Sequence, residues 1–346
     1  MTTSLLPARL RSAWIRFVWT AKGYVTGVLA DTTHSSFRSE LVQADASLPA
    51  GALRHYFFHS IHPDSVSPIL DAKRDELKEG RARLNIVLRA DPPTGKGLAR
   101  LMGVLNEISK DENLRRSISF LTDTDRLAEA YDRLSPLRFR CLPIPLELPQ
   151  LDEGRLAKPG STGKTRLTLA FLGDARREKG YHLLPGMVRE LSDLFEEGRV
   201  QLVHQCSFPV VGGEPGMAEA RAELESLPGS WTRAFPDPLP IDDYFDLLGT
   251  VDLIVLPYDT GLYSARSSGV LAEALAFGIP AVVPDNTWMS DQIRGGLGEV
   301  FATEDQLAAA VRRAVENWQD RRTRCLENQG GWRERHSAKR LVDMLF

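Results

Sequence analysis

Short apolar runs alternate with stretches of helical periodicity twice along this chain, on either side of a break rich in proline and glycine. Between Leu84 and Leu148 the runs LNIVLR, SISFLTD and RFRCLPIP are separated by segments such as Leu98, Leu101, Val104, Leu105 and Ile108, whose spacing follows one helix face. The stretch from Pro143 to Gly163 has linker composition. Beyond it come the strand RLTLAFLG, a helical run over Tyr181–Phe195, the strand VQLVHQ and a Gly/Pro-rich loop. The helix IDDYFDLLG, the strand DLIVLPY, the helix SSGVLAEALAFG and the strand IPAVVP follow. Strands joined through helices pair in parallel, so the pattern predicts two doubly wound α/β domains. We place an amino-terminal domain at 1–150, a carboxy-terminal domain at 151–330 and a terminal helix at 331–346. In such sheets ligands bind beyond the carboxyl ends of the strands, which in a two-domain chain face the intervening cleft.

Composition excludes several classes. The 346 residues suffice for two cores, and 43 Lys plus Arg against 46 Asp plus Glu give a net charge of −3, no basis for a nucleic-acid partner. Three cysteines, Cys141, Cys206 and Cys325, form no CxxC pair; they fit a reducing compartment and provide neither a disulfide framework nor a zinc site. No apolar run approaches membrane-spanning length and the amino terminus lacks a signal-peptide core, so the chain reads as cytoplasmic. The charge is uneven: residues 1–150 carry +4 and residues 151–346 carry −7. Leu5–Val18 interleaves Arg9, Arg11 and Arg16 with Leu10, Trp14, Ile15 and Phe17. That is either a solvated face or a peripheral contact with the inner membrane face through anionic lipid.

Some familiar signals fail on context. Gly163-Lys164-Thr165 has Lys158 where a P-loop needs glycine, and it leads into a strand. Asp123-Thr124-Asp125 resembles a metal-binding DxD, yet Thr122 or Asp123 ahead of RLAEAY reads as a helix start. His55, His59 and His62 fall on a strand pattern, YFFHSI, where residues three apart point to opposite faces, and no metal is expected. These histidines either line the cleft or satisfy local hydrogen bonds.

A more informative constellation follows the strand TRLTLAFLG. That strand ends at Gly173, and the loop after it holds Arg176, Arg177 and Lys179 before Gly180 opens a helical pattern. Cations at a strand's carboxyl end, beside the N–H groups of a helix start, suit a bound phosphate. A second such terminus is Ser267, Ser268 and Gly269, with Ser268 the expected N-cap and Arg266 just before it. In the same helix Glu273 is surrounded by Val270, Leu271, Ala272, Ala274, Leu275, Ala276 and Phe277. A carboxylate there needs a partner: ribose hydroxyls, a structural arginine or a backbone amide.

The run DLIVLPYDTGLYSARSSGVLAEALAFGIPAVVP, preceded by FLGDARREKGYHLLP, resembles the donor-binding half of GT-B glycosyltransferases, the glycosyl transferases group 1 of the retaining family-4 type. The resemblance covers about residues 165–300. It implies two Rossmann-like domains, a nucleotide-sugar donor such as a UDP- or GDP-sugar held mainly by the second, and an acceptor held by the first. The acceptor would be a sugar, a lipid-linked group or a small molecule, as in polysaccharide, glycolipid or natural-product assembly. No further cofactor and no metal are implied. Lys179 then maps onto the lysine that holds the diphosphate, and Glu273 onto the glutamate that holds the ribose. Ser267, Ser268 and Gly269 present amides to the diphosphate, and Phe235 to Leu239 pass the nucleobase.

Two departures stand out. The family's Gly-Arg pair is Gly173-Asp174 here, so the second cation is Arg176, Arg177 or Arg266. The family's first glutamate, eight residues before Glu273, is Ala265. The amino-terminal domain shows no Gly-rich turn after a first strand, unless WIRFVWT is that strand in diverged form. His59, His62, Arg89 and Asp91 are candidate acceptor contacts. Alternatives to a transferase are a GT-B binding or scaffold protein without turnover, or another GT-B enzyme such as a sugar-nucleotide epimerase or a phosphorylase.

Overall fold

The computed structural model describes residues 19–21, 24–28, 53–146, 148 and 166–345. Leu5–Val18, most of WIRFVWT and the Gly163-Lys164-Thr165 tripeptide lie outside the described residues. The chain divides into two compact units, Met1–Pro143 with Leu345, and Ile144–Met344 with Phe346.

The first unit is built on a six-stranded sheet in sequence order: β1 (Trp19–Ala21), β2 (Tyr24–Val28), β3 (Arg54–Ile61), β4 (Ala82–Leu88), β5 (Ile118–Thr122) and β6 (Phe139–Cys141). β1 runs antiparallel to β2, and the other neighbours are parallel. β6 stops at Cys141 although the apolar run continues, because Pro143 and Pro145 have no N–H for a ladder. The helices Val66–Lys78 and Gly95–Lys110 bury Ile69, Leu70, Leu77, Leu101, Leu105 and Ile108 with Tyr56, Phe58, Leu84, Ile86 and Phe120 of the sheet. β3 is irregular at its carboxyl end. Its register with β4 shifts between Phe58 and Ile61, and Ser60 adopts φ 62°, so the strand bulges beside His59.

The second unit carries a parallel sheet of β7 (Leu167–Phe171), β8 (Val200–Gln205), β9 (Thr232–Phe235), β10 (Leu253–Val255), β11 (Ala281–Pro284) and β12 (Gly298–Phe301). Their order is β12-β11-β10-β7-β8-β9, the doubly wound arrangement that reverses direction between β7 and β10. Both faces are covered, which is why these strands read as unbroken apolar runs. Leu169, Phe171, Leu253 and Val255 enter one core with Leu184, Val188 and Val311, while Ala170, Leu172, Ile254 and Leu256 enter the other with Phe245, Leu271 and Phe277.

The helical run over Tyr181–Phe195 is broken in the structure. A 3-10 turn at Tyr181–Leu183 precedes helices Leu184–Glu190 and Ser192–Glu196. Pro185 sits in the first turn of the former, where its missing N–H does no harm, and Leu191 leaves helical backbone at φ −105°, ψ 16°. The helix Gly269–Ala276 is anchored at its far end by the helix Trp318–Arg335. Gln329 and Arg333 both donate to the Ala276 carbonyl, and Arg322 donates to the Gly278 carbonyl at 2.6 Å, placing cations on a helix C-terminus. No helix among the described residues is long and apolar enough to cross a membrane.

Candidate functional site

A doubly wound sheet opens a crevice where its strand order reverses, so the loops after β7 and β10 are the ones to inspect. They are bound to each other. Gly180 adopts φ 72° so near the next loop that a Cβ on it would lie 1.9 Å from the Pro257 carbonyl oxygen; only glycine fits. Two residues on, the Asp259 N–H donates to the Glu178 carbonyl at 2.9 Å. Tyr258 is buried under this junction, and its backbone N–H donates to the Leu256 carbonyl. The Tyr263 ring packs against Tyr258 with centroids 4.6 Å apart, and the Glu178 charge acts on its phenol. Burial, first of several causes, pushes the Tyr263 phenol up to about 12.

Lys179 and Gly173 meet in this crevice. Gly173, at φ 107°, lies so close to the lysine that a Cβ there would stand 2.9 Å from Nζ; its own N–H donates to Gln205 Oε1 at 2.6 Å. Burial holds the Lys179 ammonium below its usual range, with Asp174 and Glu178 opposing that shift and Arg176 adding to it. A partly desolvated cation of this kind gains from an arriving anion.

Arg176 and Arg177, indistinguishable by sequence, part company. Arg176 stays beside Lys179, held by Asp174 at 2.9 Å and Glu178 at 3.5 Å. Arg177 is turned to solvent; its backbone N–H donates to Glu214 at 2.7 Å, and its charge acts on His182. His182 lines a groove of about 420 Å³ with Glu190, Glu219, Glu223, Glu304 and Asp305. Its acidic lining opposes a diphosphate.

The helix Gly269–Ala276 starts at the other side of the crevice. Ser268 is its N-cap and accepts from the Leu271 N–H at 3.2 Å, while Gly269 is exposed with open space around its Cα. Arg266 and Ser267 are half-buried in the turn just before. One turn into the helix, Glu273 accepts a hydrogen bond from the Tyr244 hydroxyl at 2.5 Å. The expected partners of this carboxylate were a ribose, an arginine or an amide; the structure supplies a phenol, from a helix 29 residues earlier. Burial raises the Glu273 pKa and the Tyr244 bond opposes the rise. Phe235 ends β9, with its carbonyl accepting from the Cys206 N–H and the Arg233 guanidinium 4.8 Å from its ring centroid; Leu239 is half-buried in the loop beyond.

In the first unit the carboxyl ends of β3, β4 and β5 carry a second polar cluster. Arg89 pairs with Asp123 at 2.7 Å, and the His59 pKa is lowered to about 4, first by burial, then by Arg89, with Asp123 opposing. The helix Asp125–Asp132 is capped by Thr124, which accepts from the Leu127 N–H, rather than by Thr122 or Asp123. Asp123 is committed to the arginine instead. His62 caps the turn Pro63–Ser65 by accepting from the Asp64 N–H, and Asp91 is exposed, its charge felt at Tyr131. Among the described residues no group of histidine, cysteine and carboxylate side chains has the arrangement of a metal site.

The family model of glycosyl transferases group 1 matches residues 155–330, half of the chain. The chain belongs to that family. It is a glycosyltransferase of the GT-B fold, as the resemblance implied. Among solved structures it is similar to the α,α-trehalose 6-phosphate synthase of Burkholderia multivorans, with TM-score 0.62 and 14% identity over 91% of this chain and 75% of that one. The α,α-trehalose-phosphate synthase of Burkholderia xenovorans, solved in complex with glucose-6-phosphate, gives TM-score 0.60 and 14% identity over 90% and 76%. The amino-terminal domain of Candida albicans trehalose-6-phosphate phosphatase gives 0.59 and 11% over 90% and 74%. At these identities the likeness is one of fold. No curated protein matches the sequence significantly.

Proposed function

We propose that this glycosyltransferase moves a sugar from a nucleoside-diphosphate donor to an acceptor hydroxyl, with retention and without a metal ion at the diphosphate. What supports the reading is that the loop bearing Arg176 and Lys179 packs against the loop that leads to the Ser268-capped helix, at the point where the strand order reverses. Breaking the bond between the anomeric carbon and the diphosphate builds negative charge on the leaving oxygen. Preorganised donors aimed at that oxygen stabilise the transition state. Lys179 and the amides of Ser267, Ser268 and Gly269 fill that role, joined by Arg176 once the phosphate competes with Asp174 and Glu178 for its guanidinium. Glu273 accepts from the ribose hydroxyls, and Phe235 to Leu239 lie along the nucleobase. The acceptor hydroxyl forms its bond to the anomeric carbon on the face the diphosphate leaves, and a phosphate oxygen takes the proton, so no protein base is required. Acceptor contacts are assigned to His59, Arg89 and Asp91 of the first unit.

Ala265, in place of the glutamate that the resemblance expects, favours a second reading: a donor-binding protein without transfer. A thermal-shift panel of UDP, GDP, ADP and their sugars, followed by donor hydrolysis, separates the two. Stabilisation by one nucleotide that Lys179→Ala and Glu273→Ala abolish, with turnover, supports transfer. Stabilisation without turnover supports the second reading, and a melting temperature indifferent to every nucleotide overturns both.

A further inference from the structure

The Tyr244–Glu273 bond joins the helices Ile241–Thr250 and Gly269–Ala276. Tyr244 stands in the first turn of the helix Ile241–Thr250, and Phe245 beside it stacks on Phe277 with centroids 5.8 Å apart and planes 3° from parallel. Phe277 follows Glu273 by one helical turn. The aromatic stack therefore fixes the spacing of the two helices, and the Tyr244 ring, in edge contact with Phe245 at 5.4 Å, is held where its hydroxyl reaches Oε2. Oε2 is thereby occupied. Oε1 has no hydrogen-bond partner among the described residues, yet it is not among the buried, unpartnered polar atoms, so it stays open to a ligand.

We infer that Tyr244 is a positioning residue of the donor site: by holding Oε2 it presents Oε1 to the vicinal hydroxyls of the donor's ribose. The inference rests on the reading of Glu273 as the ribose-binding carboxylate and adds a residue to it. A buried carboxylate with no donor takes a proton and ceases to be a pure acceptor; a phenol hydrogen bond favours the charged form. The phenols around Glu273 are Tyr244 and Tyr258, both shifted upward by burial.

The test compares binding of a nucleoside diphosphate with binding of its 2′,3′-dideoxy counterpart, using whichever of UDP, GDP or ADP gives the largest thermal shift. Wild type is expected to prefer the ribose form. In Tyr244→Phe that preference shrinks by roughly tenfold, with kcat nearly unchanged and donor KM raised. Discrimination in Tyr244→Phe equal to wild type, while Glu273→Ala loses it, overturns the positioning role and leaves the ribose reading standing. Indifference of Glu273→Ala overturns that reading too. A Tyr244→Phe protein with lower melting temperature but unaltered discrimination shows a purely structural bond and also overturns the inference. Because discrimination is a ratio within one protein, a partly unfolded sample does not mimic it.

Discussion

The two carboxyl-end clusters use the same residue types to opposite effect. In the second unit Lys179 is pressed against a glycine with its charge only partly offset, and an N-capped helix opens beside it. In the first unit Arg89 is neutralised by Asp123 at 2.7 Å and burial holds His59 uncharged. One edge carries a partly desolvated lysine beside a capped helix start; the other carries a closed ion pair and an uncharged imidazole. Under the proposed function that difference suits the two ends of a glycosyl transfer: a leaving diphosphate needs charge, whereas a hydroxyl-bearing acceptor needs only directional donors and acceptors.

That contrast breaks most easily at Lys179. Lys179→Ala should lower turnover by roughly a hundredfold, about 3 kcal/mol, and abolish the nucleotide thermal shift. Arg89→Ala should leave that shift intact and raise the acceptor KM; an Arg89 variant that loses nucleotide binding would erase the division of labour. Histidines sharpen the comparison through pH. His204 is fully buried, bonded to the Tyr181 hydroxyl at 3.0 Å, and burial lowers its pKa to about 4. Below the unfolded value of about 6.5 the unfolded chain takes up a proton that the folded one refuses. Stability is therefore full above pH ~6.5 and falls as pH drops, by roughly 3 kcal/mol near pH 4. Denaturation of His204→Gln across that window should show a flatter slope. The His59 pKa is lowered to about 4 as well, so the corresponding His59 variant should flatten the slope in the same direction.

Smaller effects follow from the loop geometry. Gly180→Ala should destabilise the second unit by at least about 2 kcal/mol, because the φ of 72° and the Pro257 carbonyl both exclude a Cβ; chemical denaturation reads it directly. Ser268→Ala should cost about 1 kcal/mol through the lost cap, together with a modest rise in donor KM.

Much of the second unit is legible because its signals are local. Ser268-Gly269 ahead of an apolar run specifies a cap, and unbroken strands such as DLIVLPY specify a sheet buried on both faces. What escapes the sequence depends on partners far along the chain. Arg176 and Arg177 are equivalent as neighbours, and Glu214, 37 residues away, helps set the turn that separates them. The partner of Glu273 is a tyrosine 29 residues earlier, and Asp123 is withdrawn from capping by Arg89, 34 residues before it. The bulge at Ser60 has no sequence signature, since serine rarely adopts a left-handed conformation.

The most direct measurement is a titration with UDP or GDP followed by backbone amide resonances in solution. The largest shifts should fall on Gly173 to Gly180 and on Ser267 to Gly269, with His59, Arg89 and Asp91 unmoved until an acceptor is added. Shifts confined to the groove around His182 and Glu304, or to the first unit, would contradict a donor site at the reversal of the second sheet.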